Sequence, residues 1–165
     1  MGILQLLERR RIRKAFGNYL SPEVVKKLLH ETGSEIKPPK MQHFQFVVAI
    51  ADDTLAQEVP ATVARILEIF VQHHANVSHV TSTLFVGVLG VPFPEHNSPE
   101  ARHKLVDSLL RQNAALVRLV HGECDGVVGL FGGPRWWTYG EVIPGFSAIL
   151  KKLLETEPGT AVEIC

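Results

Sequence analysis

The chain has 165 residues, 45% of them hydrophobic and 21% charged, with a formal net charge of +0. That length suits one α/β domain with one substantial core, and the balanced charge gives no electrostatic reason to expect nucleic acid as a partner. The two cysteines, Cys124 and Cys165, are too few and too far apart for a disulfide framework, so a reducing, cytoplasmic setting is expected.

In chain order, residues 3–16 have a helical pattern, with Ile3, Leu4, Leu6 and Leu7 followed by Arg9, Arg10, Arg11, Arg13 and Lys14. A helix this short is marginal alone in water, so its leucines need a surface, either their own domain or a second copy. The basic run reads as a solvated face or as a contact for anionic lipid. Leu6 stands where a myristoylation signal needs Ser or Thr, and no apolar run reaches spanning length, so no membrane insertion is expected. Ser21-Pro22-Glu23 is a helix start, with a capping hydroxyl, a proline suited to the first helical position and a carboxylate at the positive end. It predicts a helix over 22–30. Gly33 to Lys40 contains Pro38-Pro39 and reads as a linker, which divides the chain into a helical segment with its linker (1–40) and a globular domain (41–165).

The domain opens with a strand over 43–51, whose run Phe44, Phe46, Val47, Val48, Ala49, Ile50 suits a central strand covered on both faces. Asp52-Asp53 ends it. Val63, Ile66, Leu67 and Phe70 fall at helical spacing and predict a helix over 60–74. Residues 77–91 read as two strands. Ser98-Pro99-Glu100 repeats the cap signature and opens a second helix, with Leu105, Leu109, Leu110 and Leu116 available to the sheet. Two strands are predicted at 116–121 and 126–130, then a strand at 138–143, a helix at 145–154 with Phe146, Ile149, Leu150 and Leu153 inward, and a strand at 160–164. The order predicts an α+β, ferredoxin-like domain, an antiparallel sheet with helices on one face, preceded by N-terminal helices. Such a fold names no function.

Local sequence carries more. Residues 16–25 (FGNYLSPEVV), the strand 47–52 ending in Asp52, the hairpin 78–92 ending in Gly90-Val91-Pro92, Val127-Val128-Gly129-Leu130-Phe131-Gly132, Tyr139 with Val142-Ile143, and 158–164 follow one another in order. Together they resemble the class III nucleotide (adenylate/guanylate) cyclase catalytic domain and the segment preceding it in bacterial members. In that family the ribose 3′ oxygen attacks the α-phosphate, assisted by two metal ions between two Asp carboxylates, which activate the nucleophile and neutralise phosphate charge.

The resemblance implies a degenerate site. Asp52 aligns with the first carboxylate, and Asp53 is a poor second, because neighbouring strand residues point to opposite faces. Ser82-Thr83 stands where the family has Gly-Asp, so Thr83 offers a neutral hydroxyl in place of a metal-bridging acid. The family's Asn and Arg, four apart on the last helix, align with Ala148 and Lys152. Ala148 has nothing to offer a ribose, and Lys152 keeps the charge without the planar fork of Arg. His79 aligns with the base-selecting Lys, and Gly140 or Glu141 lies near the base-selecting Asp. Pro144-Gly145 replaces a Gly-Asp pair. Family sites are shared across a dimer, and this chain is altered in both halves; it also stops at Cys165, where the family continues through a final hairpin.

Other readings stay open. Asp52 is a weak metal ligand or a solvated carboxylate closing a strand. His73, His74 and His79 read as surface histidines, since His73 and His74 diverge around a helix. Trp136-Trp137 beside Arg135 suit a partner surface, a core or a dimer contact. Cys124 reads as a small buried hydrophobe, and Gly132-Gly133-Pro134 as a turn. The expected function is a non-catalytic signalling or dimerisation module, a homodimer with a possible protein partner. Its alternatives are an active adenylate cyclase with unusual ligands and a nucleotide sensor without turnover. No cofactor is expected, with Mg or Mn only if nucleotide binding persists.

Overall fold

The computed structural model describes residues 40–52, 59–79, 83–91, 94–113, 116–131, 138–141 and 143–164. The helices predicted over 3–16 and 22–30, the Gly132-Gly133-Pro134 turn, Arg135 and Trp136-Trp137 lie outside them. The elements are β1 (Lys40–Ala51), α1 (Val59–Gln72), β2 (Asn76–His79), β3 (Leu84–Leu89), a 3-10 turn (Pro94–His96), α2 (Pro99–Asn113), β4 (Val117–Phe131), β5 (Thr138–Glu141), α3 (Phe146–Glu155) and β6 (Ala161–Ile164).

The sheet is six-stranded, in the order β2-β3-β1-β4-β5, with β6 paired to β4. Antiparallel pairs join β1 to β3 and β4, β2 to β3, and β4 to β5. That is the strand, helix, hairpin, helix, strand arrangement expected from the sequence. The β4–β6 pair is parallel, so the finished sheet is mixed.

β1 shows why its sequence is continuously apolar. Strand residues alternate between faces, and here Val47, Ala49 and Ala51 enter one cluster with Ile66, Ile69 and Phe70 of α1 and Leu105, Val106 and Leu109 of α2. Phe44, Phe46 and Val48 enter a second cluster with Ile149 and Leu153 of α3. Helices α1 and α2 thus cover one face as predicted, and α3 adds a layer on the other. Its inward set was legible from spacing: Ile149 and Leu153 are buried, with Phe146 and Leu150 packed beside them.

The two strands expected at 116–121 and 126–130 are one strand, β4, of 15 residues. The intervening polar residues do not interrupt it, because β1 pairs with β4 from Lys40↔Val128 to Ala51↔Val117. Polar side chains from both strands then meet across the ladder. His43 Nδ1 lies 3.0 Å from Asp125, and Gln45 Nε2 donates to Glu123 at 3.0 Å. The opposite edge of β4 serves β6 near its start and β5 near its end. The predicted cap of α2 is formed, with Ser98 Oγ accepting from the Ala101 N–H at 3.1 Å.

Candidate functional site

Asp52 is the first residue past β1 and is fixed by its backbone. Its N–H donates to the Leu116 carbonyl at 2.6 Å, and the Ala51 N–H donates to the Thr83 carbonyl at 2.9 Å. Since Ile50 pairs with Leu84, the ladder brings Asp52 and Thr83 together at one end of the β1–β3 pair.

The carboxylate meets a cation that sequence reading did not single out. Arg118, opposite Ile50 in the β1–β4 ladder, places Nη2 3.7 Å from Asp52 Oδ2, both side chains being partly buried at 29% and 21% exposure. Directly opposed residues of an antiparallel pair share a face, and Ile50 packs with the α3 cluster. Asp52 and Arg118 therefore lie on the α3 side of the sheet. Arg118 Nη1 also donates to the Leu154 carbonyl at 3.3 Å, at the end of α3 where unsatisfied carbonyls attract a cation. One guanidinium thus spans the strand-end acid and the helix C-terminus. The available signal was a charged residue inside the otherwise apolar Val117-Arg118-Leu119-Val120, but pairing it with Asp52 needed the strand register.

Ala148 and Lys152 sit one turn apart on α3, and both are exposed. They share a face by the four-residue helical spacing, beside the buried pair Ile149 and Leu153. The helix begins after Gly145, whose φ of 69° is left-handed, with no side-chain cap. Lys152's carbonyl accepts from Thr156 Oγ1 at 2.8 Å. His79 is the last residue of β2, opposite Phe85, while Gly140 and Glu141 close β5 opposite Gly129 and Val128.

The other singled-out residues have local partners. His73 Nε2 lies 2.9 Å from Ser108 Oγ, and His74 stacks on His96 with centroids 4.3 Å apart and planes at 3°. Cys124 is half-buried, and burial, then Asp125, pushes its thiol up to about 11. That shift favours the protonated thiol at neutral pH.

Among the described residues the Asp52 carboxylate is paired with the Arg118 guanidinium, and Thr83 lies at the same strand end. Among the described residues no helix is long and apolar enough to cross a membrane.

No protein-family profile matches the chain. No curated protein matches it either. Among solved structures it is similar to the guanylyl cyclase Cya2, at 12% identity over 76% of each chain with a TM-score of 0.59. It is also similar to a bacterial light-regulated adenylyl cyclase, at 8% identity over 91% of this chain and 50% of that one, with a TM-score of 0.65. A third is the guanylate cyclase domain of RhGC from Catenaria anguillulae in complex with GTP, at 10% identity over 74% of this chain and 78% of that one, with a TM-score of 0.57. At such identities the likeness is one of fold.

Proposed function

We propose that the chain is a nucleotide cyclase homology domain that no longer cyclises nucleotides and works as a cytoplasmic signalling and dimerisation module, with residues 1–40 as an N-terminal helical segment and linker and 41–165 as the domain. The observation that carries this reading is the surroundings of Asp52. The Thr83 carbonyl accepts a hydrogen bond from Ala51, the chain neighbour of Asp52, and the Arg118 guanidinium lies 3.7 Å from the Asp52 carboxylate. Among the described residues a divalent ion placed there would meet one carboxylate, which leaves a triphosphate poorly neutralised. Ala148 and Lys152 weaken the other half in the same direction, so a second identical chain brings no replacement.

Purified protein incubated with ATP or GTP and Mg or Mn is expected to give no cyclic nucleotide. Product above a catalyst-free control that disappears in Asp52→Ala overturns the proposal and restores the active-cyclase reading. A nucleotide sensor is the second reading, favoured by the exposed Lys152 on α3, whose charge is available to phosphates. Under the main proposal micromolar ATP with magnesium gives no thermal shift; a clear shift without product selects the sensor.

A further inference from the structure

On the opposite side of the sheet from Asp52, three elements bring metal-ligating side chains together. His121 lies opposite Val47 in the β1–β4 ladder, on the face covered by α1 and α2, and Glu163 pairs with it from the parallel strand β6. His103 comes down from α2, its ring edge-on to His121 with centroids 5.7 Å apart. One donor atom from each of His103, His121 and Glu163 lies within 4.8 Å of the other two. His121 is 5% exposed, and its buried Nδ1 has no hydrogen-bond partner among the described residues.

We propose that His103, His121 and Glu163 bind one divalent transition-metal ion of the zinc class. Two imidazoles and one carboxylate are a borderline-soft donor set that favours zinc over magnesium or calcium. His103 and Glu163 are half exposed, at 50% and 49%, which leaves room for water as a fourth ligand.

The surroundings already organise the set. Arg102, 3% exposed, donates to Glu163 Oε1 and, at 2.7 Å, to Gln45 Oε1. That leaves Glu163 Oε2, 3.5 Å from His103 Nε2, to face the ion. A carboxylate oriented by a buried hydrogen-bonding partner is what outer-shell groups supply at metal sites. The ion would clamp α2 and the edge strand β6 to the central strand β4.

The test is calorimetric titration of the chelator-treated full chain with zinc chloride, followed by thermal unfolding and cobalt substitution. The expected result is one equivalent bound with micromolar affinity, a raised Tm, and the visible absorption of tetrahedral cobalt. His103→Ala, at a half-exposed helix position, and Glu163→Gln, which keeps an acceptor for Arg102, are each expected to weaken zinc binding at least about tenfold. Both should retain the wild-type circular dichroism spectrum. His96→Ala is the control and is expected to bind as wild type. Absence of saturable zinc binding, wild-type affinity in both ligand variants, or a loss confined to His96→Ala overturns the proposal, the last by placing zinc on the His74–His96 pair.

Discussion

Gly87 in β3 faces the ring of Phe70, and a methyl group built on it would overlap that ring. Phe70 is fully buried and cannot swing into solvent, so the helix-to-sheet distance at this point depends on the missing side chain. Gly87→Ala is expected to destabilise the domain by about 1–3 kcal/mol through overpacking, measured as a lower midpoint in urea unfolding. His73 allows a pH prediction. Its pKa lies below the ordinary 6.5 because burial disfavours the cation, with His74, then Arg111 and Lys104 of α2, adding repulsion. The unfolded chain therefore takes up more protons once pH falls below about 6.5. The contribution to stability is complete above that pH and is lost as pH falls toward and through the lowered folded value. Unfolding at about pH 7.5 and about pH 5.5 is expected to show a smaller acid loss in His73→Gln than in the parent chain. Equal losses in the two proteins would refute it.

At the scale of elements, α2 and α3 begin in different ways. α2 has a side-chain cap, Ser98 Oγ to the Ala101 N–H, and Ser98→Ala is expected to cost about 1 kcal/mol, seen as a reduced thermal midpoint. α3 begins at Gly145 without such a cap, so its attachment rests on the apolar face it lays on the sheet. Leu153, fully buried against the Phe44, Phe46 and Val48 side of β1, is the position to test. Leu153→Ala is expected to cost about 2–5 kcal/mol in denaturant unfolding. A loss below about 0.5 kcal/mol would mean that α3 is not part of the cooperative core.

For the whole molecule, we expect a two-fold symmetric dimer, since closed pairs are the commonest oligomer. Among the described residues the large apolar side chains left exposed are Met41 and Leu154, at 64% and 65%. They lie on β1 and α3. The N-terminal leucines and Trp136-Trp137 are the apolar residues of the sequence expected to supply a pairing surface. Sedimentation over a range of concentrations is expected to show association in the full chain and its loss in a chain starting at Ser21. A monomer throughout refutes the dimer, and association retained by the shorter chain refutes the N-terminal contact.

The sequence by itself determined what depends on local periodicity and end signals. The two-sided apolar run of β1, the spacing of Ile66 and Phe70, the Ser98 cap and the inward face of α3 all appear where the residues placed them. Asp52 and Thr83 were named through the resemblance alone, as family positions on the first strand and the hairpin. Tertiary structure decided what depends on partners distant in sequence. β4 is one strand because twelve residues of β1 lie against it, so residues that read locally as a break are bridged by side chains far along the chain. Arg118 reaches Asp52 only through the β1–β4 register, and His103, His121 and Glu163 meet only once α2, β4 and β6 are stacked. Charge and ligand chemistry act through space, and nothing in the spacing of those residues along the chain encodes their distance.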